Sequence, residues 1–246
     1  RVDLDKIVQY QRNIGEAHTW LDTTDEALGQ IGDALHRVKE LTVQAANDTN
    51  TPEDRAKINA GVAQTKGQSR DGANTKVGDN YIFSGTHTNE PLYKDGVLNP
   101  AVLTGSGKPF ELNVFDGISI NVNTPGKVMF DEIYTFMGEL STLLNNGATG
   151  KEIGDKLGDG STTELGGLTE LTLAARADVG ARQNRVEMME NRLDIQYVNV
   201  TKQMSENEDT DYAKTITEMA TTESIHQAAL SVGAKIIQQT LVDFMR

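Results

Sequence analysis

Apolar and small residues recur at alternating spacings of three and four from Ile7 to Ala45: Ile7, Tyr10, Ile14, Ala17, Leu21, Thr24, Leu28, Ile31, Leu35, Val38, Thr42 and Ala45. That spacing predicts one long helix with a single buried stripe, extending about 65 Å at 1.5 Å per residue. "NDTNTP" ends it, because Asn, Asp and Thr compete for backbone hydrogen bonds and Pro52 cannot continue a preceding helix. Thr51 as N-cap, Pro52 in the first turn and the acids Glu53 and Asp54 behind it start a second helix. Its stripe of Ile58, Val62 and Thr65 runs into Gly67, Gly72 and Ala73, small residues that suit close approach of a neighbour.

The period then changes. Tyr81, Ile82 and Phe83 ahead of Gly85 read as a strand, and Asp95-Gly96 as a hairpin turn. Two further strands are expected around Asp116-Gly117, with alternating Leu112, Val114, Ile118, Ile120 and Val122. Helical periodicity resumes at "FDEIYTFMGELSTLL", breaks at "NNGATG", and settles into a second long stripe of Val186, Met189, Leu193, Tyr197, Val200 and Met204. The economical partner for the first long helix is this one, with Leu21, Leu28, Leu35 and Leu193 as intramolecular core. From Asp211 on, Tyr212, Ile216, Met219, Ile225, Ala229, Val232 and Ile236 lie near one helix face, and Ala228, Leu230, Gly233, Ile237, Leu241 and Phe244 near another. A helix apolar on two sides needs two neighbours, so partner chains or a preceding segment are expected to cover it.

The resulting fold class is mainly α with an inserted β region. Six Phe, six Tyr and one Trp in 246 residues suit narrow packing between slender elements, hence an elongated shape. Residues 1–91 and 130–205 form a discontinuous helical domain, 92–129 the β insertion, and 206–246 a terminal helix. A net charge of -13 argues against nucleic acid and against an anionic membrane surface. The absence of Cys removes disulfides and thiolate chemistry. No apolar run reaches the roughly 18 residues that span a bilayer, and "RVDLDKIVQYQ" is already in helical phase at Arg1, as in a cut from a longer chain.

Catalytic and ligand chemistry finds no constellation. His18, His36, His87 and His226 stand apart, in no zinc-ligand spacing. "GSGKP" and "GATGKE" lack the offsets of a phosphate loop and read as turns; "DKLGDG" has Leu157 where a calcium ligand belongs. "SENEDTD" reads as a solvated hinge. The expectation is therefore no enzyme, no cofactor and no metal.

"LHRVKELTVQAANDTNTPEDRAKIN" and "DVGARQNRVEMMENRL" resemble the outgoing and returning rod helices of the bacterial flagellin family. "WLDTTDEALGQI", "KVGDNYIFSGTHT", "SENEDTDYAKTITEM" and "QQTLVDFMR" resemble the hook-associated branch of that family more than its filament-forming members. The resemblance implies an elongated flagellin-like rod of long paired helices with a small central β domain, in an axial structural protein exported by the flagellar type III apparatus. It would be extracellular, at the hook-filament junction, self-associating into a ring and meeting other hook-associated proteins, flagellin and an export chaperone; a filament-forming flagellin is the alternative. Carried onto this chain, the assembly interface would include Gln44, Asn47, Arg182 and Arg185 on the rod, and Ile216, Met219, Ile225, Val232, Ile236, Leu241 and Phe244 on the terminal helix.

Overall fold

The computed structural model describes residues 2–102, 109–158, 161, 163–208 and 211–244, with side chains at 208 and from 236 onward left aside. The chain falls into two compact units, Val2–Gln196 and the part from Tyr197 on. The strand pairs belong to the first unit together with the helices around them, and the division between units lies at Tyr197, inside the helix expected to run on to 205.

In the first unit α1 spans Val2–Ala45. Eleven of the twelve positions expected on its stripe are buried; Tyr10 is half-buried, its ring stacked on Phe115 at 6.4 Å. A further row, Trp20, Ala27, Ala34 and Leu41, is buried as well. One heptad seam faces one partner; a third row means that α1 lies against several neighbours at once. One is α2 (Pro52–Ala73), which returns antiparallel. A Cβ at Gly61 would touch Leu41 Cδ1 at 3.1 Å and one at Gly72 would meet Ile31 Cδ1 at 2.9 Å, so these two glycines let the helices close; Gly67 faces open space. The turn between α1 and α2 is built as expected: Thr51 Oγ1 accepts from Asp54 N, and the Asp54 carboxylate accepts from Thr51, a reciprocal capping box.

Three two-stranded antiparallel hairpins follow: β1 (Lys76–Val77) with β2 (Asn80–Tyr81), β3 (Tyr93–Lys94) with β4 (Val97–Leu98), and β5 (Glu111–Phe115) with β6 (Ile118–Asn121). The Asp95-Gly96 turn has positive φ at both residues, 53° and 84°, the geometry such a pair favours. Ile82 and Phe83 do not continue a strand. They form a turn whose side chains are fully buried, with Phe83 edge-on to Phe130 at 4.9 Å. Helix α3 (Lys127–Asn145) runs antiparallel to α2: Asn59 Nδ2 donates to Asn145 Oδ1 at 2.9 Å, and Lys66 Nζ lies 3.8 Å above the Tyr134 ring.

"GATGKE" proves to be more than a turn. It opens the short α4 (Gly150–Gly154) with a second capping box between Thr149 and Glu152. Gly150 N donates to Asp48 Oδ1 at 2.6 Å, and a Cβ there would overlap the backbone at Ala46. Helix α5 (Leu165–Glu208) starts after a 3-10 turn, Asp155–Leu157, and buries Leu165, Leu168, Thr172, Val179, Val186 and Leu193. Five of these repeat at strict seven-residue intervals, 165, 172, 179, 186 and 193, which is a coiled-coil row. Met189 is half-buried and Tyr197 is 38% exposed, so the expected stripe holds through Leu193 and loosens after it. In the second unit α6 spans Tyr212–Phe244, with Asp211 Oδ1 accepting from Lys214 N at its start.

Candidate assembly surfaces

The pairing of α1 with α5 is antiparallel and is fixed by polar contacts along the edge of the apolar seam. Gln11 donates to Asp194 Oδ1 at 3.1 Å, His18 Nε2 meets Glu190 Oε2 at 3.1 Å, and Gln183 donates to Asp22 Oδ1 at 2.8 Å. Arg176 grips Asp25 with two nitrogens, at 2.6 and 3.1 Å, and its guanidinium lies across Gly29, where a Cβ would be 3.7 Å away. The Asp25 hydrogen bond and charge raise the Arg176 pKa further above its ordinary value. Leu21, Leu28, Leu35 and Leu193 are all buried at 0 or 1% exposure, consistent with intramolecular core.

The β5–β6 hairpin makes contacts to both long helices. Trp20 packs on Phe110 with ring centroids 5.5 Å apart, and Asn13 Nδ2 donates to the Asn113 carbonyl at 2.6 Å. From the other side the Arg192 guanidinium lies 4.3 Å from the Phe115 ring centroid, and Arg182 Nη1 donates to the Asn123 carbonyl at 2.7 Å. Arg182 also pairs with Asp178, one turn earlier. Arg182, which the resemblance would set where subunits meet, here ties the hairpin to α5, with its side chain 21% exposed. Arg185 stays exposed.

Gln44 and Asn47 sit at the α1–α2 connection, both exposed. The Asn47 side-chain oxygen accepts from Thr49 N and Thr49 Oγ1, and the Gln44 carbonyl accepts from Asn50 Nδ2, so both take part in building the turn. Arg55 Nη1 donates to the Ala148 carbonyl at 2.5 Å and Gly150 N to Asp48, so this end of the unit is clamped by the α3–α4 connection.

On α6, Ile216, Met219, Ile225 and Val232 are 47, 66, 65 and 56% exposed. Every side chain described from Asp211 to Lys235 is exposed apart from the position of Gly233. Ile236, Leu241 and Phe244 fall on the helix, but their side chains lie outside the described residues. Exposed Ile, Met and Val leave an apolar surface along the described part of α6.

Among the described residues no group of three or more His, Asp or Glu is placed to hold a metal ion, and no helix is long and apolar enough to cross a membrane. Most of "GSGKP", the end of "DKLGDG" and Asp209 and Thr210 of "SENEDTD" lie outside the described residues. A hollow of about 140 Å³ beside Asp131, Glu132, Thr135 and Glu139 gathers acids, but Glu139 is bound to Lys156 at 2.8 Å. Tyr93, whose phenol is pushed far above its ordinary range by burial and then by Asp131 and Tyr134, stays neutral and serves packing.

Residues 1–88 match the bacterial flagellin N-terminal helical region and residues 165–245 the flagellin C-terminal helical region, together over two thirds of the chain. A flagellin of Salmonella paratyphi A is 30% identical over 173 residues, 67% of this chain and 32% of that protein, so the chain spans about a third of this relative's length. A 31.3 kDa flagellar filament core protein of Treponema maltophilum is 24% identical over 251 residues, 97% of this chain and 79% of its own. In fold, the chain matches flagellar hook-associated protein-3 from Legionella pneumophila with a TM-score of 0.69 at 15% identity, over 84% of this chain and 98% of that one.

Proposed function

Because the chain belongs to the bacterial flagellin superfamily, we propose that it is a non-enzymatic structural subunit of the flagellar axis, an adaptor at the hook-filament junction that assembles with copies of itself by helix packing. The observation that carries this reading is the contrast between its two helical parts. Helices α1 and α5 satisfy one another through a buried seam and four polar cross-links, while α6 leaves Ile216, Met219, Ile225 and Val232 exposed for other molecules to cover. The near-complete overlap with the fold of a hook-associated protein supports the junction over the filament. A ring of copies outside the cell, in contact with other hook-associated proteins and flagellin and delivered by an export chaperone, completes the proposal.

A filament-forming flagellin is the second reading, favoured by the flagellin and filament-core relatives. Deletion of the gene separates them. The junction role predicts hooks without attached filaments and flagellin shed into the medium; attached filaments of normal length would overturn it. Bulk abundance of this chain in sheared filaments would turn the choice to flagellin.

A further inference from the structure

The chain contains one Asn-Gly step, Asn146-Gly147, where α3 ends. Glycine is the successor that least shields its own nitrogen, because it has no side chain to crowd the preceding Asn. At Asn47, Asn50, Asn74 and Asn80, which also lie outside the helices, the next residue is Asp, Thr, Thr or Tyr. Both residues of the Asn-Gly step are exposed, and Gly147 has a φ of 71°, in the left-handed region. Among the described residues no hydrogen bond engages the Asn146 side chain or the Gly147 N–H. The neighbouring Asn145 is held, its Oδ1 accepting from Asn59 at 2.9 Å. Beside the step lies a hollow of about 340 Å³, walled by Pro52, Arg55, Leu144, Asn145 and Gly147.

We propose that Asn146 is a site of covalent self-modification, closing on the Gly147 nitrogen and ageing to isoaspartate, and that the change unfastens the clamp at the α1–α2 connection. The Gly147 nitrogen attacks Asn146 Cγ; the N–Cγ bond forms, the Cγ–Nδ2 bond breaks, and Nδ2 leaves as ammonia with the proton from Gly147. Water then opens the five-membered succinimide. Opening at Cγ gives Asp, and opening at the backbone carbonyl gives isoaspartate, in which the chain runs through the former side chain. Asn146 stands at φ -86° and ψ 4°, which turns the Gly147 nitrogen away from Cγ, so the peptide must swing first. That swing breaks the bond from Ala148 N to the Leu143 carbonyl, 3.1 Å, at a helix end where opening costs least. A Cβ at Gly147 would meet nothing, and the hollow admits the moving peptide and the water. Isoaspartate adds a methylene to the backbone and a carboxylate between Asn145 and Gly147. The added link displaces Ala148, whose carbonyl accepts from Arg55 Nη1 at 2.5 Å, and the carboxylate offers Arg55 a charged acceptor instead. Gly150 N, 2.6 Å from Asp48 Oδ1, lies two residues beyond Ala148 and loses its placement with it.

Peptide mapping by mass spectrometry of the full folded chain, held in mildly alkaline buffer, tests it. Asn146 is expected to deamidate about tenfold faster than any other Asn, with isoaspartate the larger product. Amide exchange at Gly150 should quicken by about tenfold in the aged chain. Asn146→Ser keeps an exposed polar side chain but cannot close the ring, so it should retain Gly150 protection over the same interval. Deamidation at Asn146 no faster than at Asn47, an isoaspartate-rich chain with unchanged Gly150 exchange, or equal loss of protection in Asn146→Ser would overturn the inference. The junction role is judged separately by filament attachment after gene deletion, so either can fail alone.

Discussion

Gly150→Ala tests whether the clamp at the α1–α2 connection is as tight as its contacts indicate. The new Cβ would sit 2.7 Å from Asp48 Oδ1 and 3.0 Å from the Ala46 carbonyl carbon, and would overlap the carbonyl oxygen; two of these atoms are backbone and cannot rotate away. Helix α4 must shift by about 1 Å, an overpacking strain of roughly 1–3 kcal/mol. The same shift breaks the 2.6 Å bond from Gly150 N to the Asp48 carboxylate, a charged hydrogen bond of about 1.5–3 kcal/mol. Because one displacement relieves the strain and loses the bond, the costs do not add, and about 3 kcal/mol is expected. With a urea slope of roughly 2–3 kcal/mol/M, the unfolding midpoint should fall by about 1 M. Trp20, the chain's one tryptophan and 1% exposed, reports that unfolding by fluorescence within the same unit. Asp48→Ala in the Gly150→Ala background should cost little more, since the bond is already gone. A Gly150→Ala midpoint within experimental scatter of the natural protein, or full additivity of the two changes, would refute the reasoning.

Leu28→Ala, at a fully buried position of the α1 seam, should cost about 3–5 kcal/mol in urea unfolding, while Leu173→Ala, 58% exposed, should stay within about 0.5 kcal/mol. Asp54 and Glu152 are held below the ordinary carboxylate range, Asp54 by the Thr51 hydroxyl and then its backbone N–H, Glu152 by the Thr149 backbone N–H and then its hydroxyl. Their folded pKa values are depressed, so the stabilisation they add is present above the unfolded carboxylate pKa and is lost as pH falls through the folded values. Thr51→Val should therefore move the Asp54 carboxyl midpoint upward in a carbon-detected NMR titration and leave Glu152 in place. Arg182→Ala should speed amide exchange in β5 and β6, because it removes the bond to the Asn123 carbonyl, while the α2 amides keep their protection.

The long helices were legible because a heptad period is a local property of the sequence. The further row of Trp20, Ala27, Ala34 and Leu41 was not, since a single-seam reading assumes a single neighbour and two of these residues are alanines that carry little hydropathy signal. Ile82 and Phe83 have strand composition but are held in a turn by tertiary packing against Phe130, a contact 47 residues away that local propensity does not encode. The resemblance points to Arg182 as a place where subunits meet, but its bond to the Asn123 carbonyl exists only because the β5–β6 hairpin arrives beside α5. Gly150 shows the same limit. "GATGKE" contains Thr149 and Glu152 at capping-box spacing, a signal available in the sequence, but the closeness of Ala46 and Asp48 comes from the folded chain alone.

The cross-links between α1 and α5 join residues 151 to 183 positions apart. During synthesis at about 5–20 residues per second, α1 waits roughly 10–30 s for its returning partner to be made. Throughout that interval its apolar rows have no α5 to settle against, and closing so long a loop makes the final zipping slow. The architecture therefore delays its own completion, leaving a newly made molecule extensible for longer than one built from neighbouring hairpins.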